Sequence, residues 1–220
     1  MTQAPDLDRD GARRHAAILS PADRQLIERL SRGDPGLRLT PEPALSAMLS
    51  REGTLGRIAA AHRPGAQAVR AVLFDKTPEA NWALAWHQDR TIVVAEREDM
   101  VGFGPWSTKA GMIHVEPPFA LLEGMLTLRA HVDDCGVHNA PLLAARGSHK
   151  LGRIRSADAG SVADALERLT CTAHAGDVWA YATPILHASE RARRPGRRRV
   201  LQVDYCAGEL PAPLRWAWPA

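Results

Sequence analysis

The chain has 220 residues, 24% of them charged and 45% hydrophobic, with a net charge of +3. A chain of this length buries roughly 70% of its unfolded surface, and its three scattered cysteines, Cys135, Cys171 and Cys206, argue against a disulfide framework or a thiolate zinc site. No run of about 18 apolar residues and no apolar segment behind a basic start is present, so a soluble, cytoplasmic protein that engages no membrane is expected.

Residues 1–65 read as a helical region that packs on the rest. Ser20 and Pro21 open the stretch ADRQLIERLSRG with a cap and a first-turn proline, and Gly33 closes it. Leu26, Ile27 and Leu30 form its apolar stripe. Residues 44–61 continue in helical style, interrupted by Gly53 and Gly56.

From residue 67 the texture changes. AVRAVLF, WALAW, TIVVA, MLTLRAHV, DVWAYA and RVLQVDY are short β-rich runs separated by Gly, Pro, Asn and Asp. Such spacing predicts an all-β sandwich or barrel across residues 66–220. SVADALERL, residues 161–169, reads as one inserted helix. Residues 98–119 are too long and too rich in Gly and Pro for a simple connector, and are expected to form a lid.

Two His-x-Asp pairs occur on predicted strands: His87 with Asp89, and His131 with Asp133. On a strand, residues i and i+2 share a face, so either pair aims an imidazole and a carboxylate at one point. Two histidines and one carboxylate on a metal, with open positions beside them, mark non-haem Fe(II) oxygenases. A third ligand must come from a distant strand. His187, after the strand VWAYA, leaves more room for intervening strands when paired with His87 than with His131.

The segments VLFDKTPEANWALAWHQD, LLEGMLTLRAHVDDCGVHNAPLLAARGSHKLG and GDVWAYATPILHASERARRPGRRRVLQVDY come in the order found in one family. Over residues 70–206 the chain resembles the phytanoyl-CoA dioxygenase family. The resemblance implies a mainly β fold: a double-stranded β-helix, or jelly-roll, core with N-terminal helices and one inserted helix. It implies an Fe(II)- and 2-oxoglutarate-dependent dioxygenase that uses O2 and releases succinate and CO2. His87, Asp89 and His187 are then the metal ligands, and His131-Val-Asp133 falls on a strand running into a turn.

The same resemblance assigns the far carboxylate of 2-oxoglutarate to Arg198, about eleven residues beyond His187, together with Ser189. A one-residue slip would put Arg197 or Arg199 there instead. Arginine suits the role because its planar fork meets both carboxylate oxygens. Gln88, Trp106, Lys109 and His114 are candidates for substrate contact. Arg129 is read either as a partner for an anionic substrate group or as a salt bridge to Asp133 or Glu123. The chain has Asn139-Ala140-Pro141-Leu142 where many relatives have Asn-Gly-Pro-Leu, which puts the shape of that turn in question.

A small-molecule substrate and hydroxylation of an unactivated C–H bond are expected. The same ligand set also serves desaturation, epimerisation and cyclisation, and a jelly roll that binds metal without turnover is the rival from another class. Six arginines in residues 191–199 offer phosphates a basic run. Without a helix-turn-helix or a stacking platform, the solvated loop is the simpler reading and nucleic acid is not expected as a partner.

Overall fold

In the segment Ser20-Pro21-Ala22-Asp23, the Ser20 side chain accepts the Asp23 amide while the Asp23 carboxylate accepts the Ser20 amide. This reciprocal cap starts the helix α2 (Pro21–Leu30) and turns Leu26 and Ile27 inward. The computed structural model that contains it describes residues 4–194 and 196–218.

Ahead of α2 lie a short helix, α1 (Leu7–Asp10), and a strand, β1 (Ala12–His15). A second strand, β2 (Leu37–Arg38), follows, then α3 (Pro43–Leu49) and α4 (Thr54–His62). The expectation of an all-helical region over 1–65 is corrected by β1 and β2. Each caps one edge of the main sheet, satisfying backbone groups that would otherwise face solvent. Gly53 and Gly56 prove to be packing residues. A Cβ at either position would strike backbone carbonyls of α3 or of the link that follows it, so glycine lets α3 and α4 meet closely.

Six strands form the main antiparallel sheet in the order β1-β11-β8-β13-β3-β2. In chain order its longer members are β3 (Ala66–Lys76), β8 (Leu126–His131), β11 (Val178–Ala182) and β13 (Arg198–Ala207). β4 (Leu84–His87), β9 (Leu142–Ala145), β10 (Arg168–Cys171) and β12 (His187–Ser189) form an opposing sheet in the order β10-β9-β12-β4. This is the jelly-roll core. Leu26, Leu45, Leu49 and Leu55 cover one face of the main sheet, against Leu73, Leu128, Leu201 and Tyr205. The other face looks into the barrel. There Trp179 and Tyr181 meet Leu142, Ala144 and Leu169 of the opposing sheet.

Residues 98–119, expected to form a lid loop, contain a β-hairpin. β6 (Trp106–Lys109) and β7 (Met112–Val115) form a hairpin that pairs through β7 with β5 (Ile92–Val94). Ala110 and Gly111 both have positive φ, 49° and 76°, which makes the tight two-residue turn a hairpin favours. α5 (Phe119–Glu123) then leads into β8. The inserted helix, α6, spans Ala159–Asp164, and Arg168–Cys171 is strand β10, so the helix expected over 161–169 ends early. Pairing with β9 decides the state of those last residues. Ala140 takes the left-handed conformation, φ 51°, so the turn keeps a shape that glycine adopts more readily.

Candidate metal centre

His87 ends β4 and His187 begins β12, and the two are direct cross-strand partners. Their ring centroids lie 4.3 Å apart. Asp89, two residues past His87, completes a set whose potential ligand atoms all lie within 4.8 Å of one another. Each imidazole is fixed from behind. His87 Nδ1 donates to the Ala85 carbonyl at 2.7 Å, and His187 Nδ1 donates to the Ile185 carbonyl at 3.0 Å. The proton on Nδ1 leaves the Nε2 lone pair free, which is the form a metal requires.

Electrostatics favour the same protonation states. Burial pushes the His187 pKa down to about 4 against the opposing pull of Asp89, so the ring is neutral at pH 7. Burial alone would raise the Asp89 pKa, but His187, Arg70 and His87 together hold it below the usual carboxylate range. The Asp89 side chain is 23% exposed, yet its Oδ2 is sealed from solvent and has no hydrogen-bond partner among the described residues. Oδ2 lies 4.0 Å from His187 Nε2. A buried, charged oxygen without a donor, beside two outward-facing imidazole nitrogens, fits a cation.

Behind Asp89 lies a buried network the sequence reading missed. Arg70 donates to Asp204 at 2.5 Å and stands 3.9 Å from Asp89. Thr127 donates to Asp204 at 3.1 Å and lies 3.0 Å from the Thr183 hydroxyl.

The cavity over the ligands is lined on the main-sheet side by Phe74, Lys76, Arg129, Arg198 and Gln202. Trp82, Leu84, Leu142 and Ser189 complete it, and Leu84, 47% exposed, stands at the mouth. A larger surface groove of about 610 Å³, passing Arg51, Gln67 and Trp218, holds none of the candidate ligands.

Strand alternation sorts the arginine run. Arg197 pairs with Asp75 at 3.0 Å, and Arg199 pairs with Asp133 at 2.6 Å. Arg198 points into the cavity and is only 2% exposed. Burial lowers its pKa to about 10, the Cys135 thiol lies beside it, and Nε has no partner. Lys76, absent from the sequence candidates, is its cross-strand neighbour. Lys76 Nζ lies 3.3 Å from the Ser189 hydroxyl, and burial with the nearby Arg198 lowers its pKa to about 8. Arg191, Arg193 and Arg194 are exposed.

The remaining candidates fall elsewhere. Gln88 is buried and bonds Gly152, Ile154 and Pro184 backbone groups, which ties three loops together. Trp106 packs on the hairpin's apolar side with Arg97 over its ring, Lys109 is exposed beside the hairpin turn, and His114 is buried beside Thr91. None of these four lines the cavity. Arg129 makes neither expected salt bridge, because Asp133 is taken by Arg199; its Nη1 donates to Gln202 at 2.7 Å.

A family model described as phytanoyl-CoA dioxygenase (PhyH) matches residues 37–200. No curated protein matches the chain. Among solved structures, AviO1 from Streptomyces viridochromogenes Tue57 is 20% identical with a TM-score of 0.61, over 93% of this chain and 95% of that one. SnoK, described as a non-heme alpha ketoglutarate dependent carbocyclase from nogalamycin biosynthesis, is 14% identical with a TM-score of 0.61, over 92% and 82% of the two chains. HygX from Streptomyces hygroscopicus, solved with nickel, 2-oxoglutarate and hygromycin B bound, is 16% identical with a TM-score of 0.60, over 91% and 84%. At these identities the likeness is one of fold.

Proposed function

This chain belongs to the phytanoyl-CoA dioxygenase family, and from that premise we propose that it is an Fe(II)- and 2-oxoglutarate-dependent dioxygenase that hydroxylates an unactivated C–H bond of a small molecule. The observation that carries the reading is the pairing of two features in one cavity. One is the triad with its partnerless Asp89 oxygen; the other is Arg198, a buried guanidinium with no acid beside it among the described residues.

When bound, ferrous ion and the 2-oxo acid together activate O2 and supply the oxidising power that C–H cleavage needs. The residues position and insulate. His87 and His187 present Nε2, their tautomers set by the carbonyls of Ala85 and Ile185. Asp89 supplies the negative ligand, with Arg70 behind it. Arg198 receives the far carboxylate of 2-oxoglutarate, with Ser189 and Lys76 beside it. Phe74, Leu142 and Trp82 exclude water, and Leu84 marks the side from which substrate enters.

Asp89 also bears on the outcome. The carboxylate fills a position that a halide would need, so hydroxylation is favoured over halogenation. Desaturation, epimerisation and cyclisation form the second reading. It is favoured by likeness to SnoK and to SnoN, the latter described as an epimerase from the same biosynthesis and 16% identical. The test is incubation of the iron-loaded protein with 2-oxoglutarate, O2 and a panel of specialised metabolites, amino acids and acyl derivatives. Succinate release coupled to a product with one added oxygen supports hydroxylation. Loss of two hydrogens or an unchanged mass supports the second reading. Absence of 2-oxoglutarate binding to the metal-loaded protein leaves the non-catalytic metal-binding jelly roll.

A further inference from the structure

The cavity holds more positive charge than one far carboxylate accounts for. Lys76, Arg129 and Arg198 are 4%, 7% and 2% exposed, and none has a carboxylate partner among the described residues. The nearby acids are already engaged: Asp204 by Arg70, Asp75 by Arg197, Asp133 by Arg199 and Asp89 in the triad. A buried unpaired cation is costly, and a fold keeps one where a ligand supplies the anion.

The cations stand at two places. Arg198 and Lys76 face each other across β13 and β3, with Ser189 beside Lys76. Arg129 stands opposite Gln202, four residues farther along β13. At about 3.3 Å per residue, that separates the backbone origins of Arg198 and Arg129 by roughly 13 Å. Arg129 lies toward the metal end: its partner Gln202 is two residues along β13 from Asp204, whose partner Arg70 stands 3.9 Å from Asp89, whereas Arg198 is six residues from Asp204. Its guanidinium is held for presentation. Phe74 covers its face with ring centroid 5.2 Å away, Gln202 takes Nη1, and Nε is buried without a partner. Leu84, 47% exposed, lines the same cavity.

We infer that Arg129 binds the metal-proximal carboxylate of the 2-oxo acid, so that the cosubstrate is held by a guanidinium at each end. This rests on the 2-oxoglutarate reading above. An arginine at this position supplies a counter-charge on the metal side of the cavity, where the acid would meet the metal.

Two acids separate the ends. 2-Oxoglutarate carries both carboxylates, and 2-oxobutyrate carries only the metal-proximal one. Each is titrated anaerobically into Fe(II)-loaded protein and followed by the visible charge-transfer band and by tryptophan fluorescence. R129M is expected to weaken both acids by a similar factor, on the order of 10- to 100-fold, with metal affinity in the absence of acid unchanged. R198M is expected to weaken 2-oxoglutarate alone. Should R129M fail to fold, R129K keeps the stem and charge without the planar fork, and is expected to weaken both acids several-fold. Wild-type affinity for both acids in R129M, or in R129K where that variant stands in, overturns the inference while leaving the cosubstrate reading intact. A wild-type protein that binds neither acid overturns both.

Discussion

Arg198→Met should make the ligand-free protein more stable and the 2-oxoglutarate complex weaker. Burial chiefly lowers the Arg198 pKa to about 10, well below the usual guanidinium range. At about 1.36 kcal/mol per pH unit, holding the charge inside the barrel costs on the order of 3 kcal/mol. The folded pKa of this cation lies below the unfolded one, so the cost is fully present at any pH below about 10. It fades only as pH rises from there toward the higher pKa of the unfolded chain. At pH 7 methionine removes the whole cost while keeping most of the stem's packing, so a net gain of about 1–3 kcal/mol is expected. The complex behaves oppositely. A buried carboxylate that loses its cation costs about 3–5 kcal/mol, roughly two to nearly four decades in affinity. Urea unfolding of metal-loaded protein with and without 2-oxoglutarate measures both effects. At a hundredfold excess over Kd the cosubstrate should stabilise wild type by about 2.7 kcal/mol, and the same concentration should leave R198M unmoved. A ligand-free R198M less stable than wild type, still stabilised fully by the acid, would refute this reasoning.

D89A and H187A should each abolish substrate-dependent succinate formation and weaken metal binding; turnover retained in both rejects the triad. Q88L strips the partners from Gly152, Ile154 and Pro184 backbone groups, and should cost about 2–4 kcal/mol in urea unfolding. His15 and His62 face each other at 3.0 Å, and burial first, then His62, pushes the His15 pKa down to about 4. A folded pKa below the unfolded 6.5 means stability is fully present above pH 6.5 and is lost as pH falls toward 4. Discounted for the pair's partial exposure the loss is on the order of 1–2 kcal/mol, and a pH profile of H15Q that keeps the wild-type slope in that window counts against it.

The candidate ligand set was legible through the ordered motifs the chain shares with its family, whereas strand spacing alone leaves His131 and Asp133 open beside His87 and Asp89. Their cross-strand pairing is a product of topology, and periodicity does not reveal that His87 faces His187. The inward row of β13 was half legible. Placing Arg198 inward also places Gln202 and Asp204 inward by period-two alternation, and polar residues on the inner face of a buried strand are a signal that went unused. Arg70 and Lys76 share one inner face of β3 by the same rule. The substrate-contact candidates lie away from the cavity for another reason. Trp106, Lys109 and His114 were chosen because a long glycine-rich segment suggested a lid, whereas Ala110-Gly111 folds it into a hairpin whose apolar side packs on Leu122, Leu214 and Trp216. β1 and β2 were hidden because a two- or four-residue edge strand carries too little pattern to read.

The two sheets divide the chemistry by charge. The opposing sheet and its loops bring the candidate ligands His87, Asp89 and His187, whereas the main sheet contributes the cations Arg70, Lys76, Arg129 and Arg198. Among the described residues only Arg70 of those cations has an acid of its own, Asp204, and it stands behind Asp89. That pairing follows from what each cation must do. One that orients a ligand carboxylate has to remain in place before anything binds, and a built-in counter-ion keeps it there. One that receives a mobile diacid must be left unpaired, because a resident carboxylate would compete with the incoming one. Among the described residues Lys76, Arg129 and Arg198 have no carboxylate partner, which is the arrangement the proposed diacid cosubstrate requires, and on that proposal the stability those residues cost the empty protein is recovered when it binds.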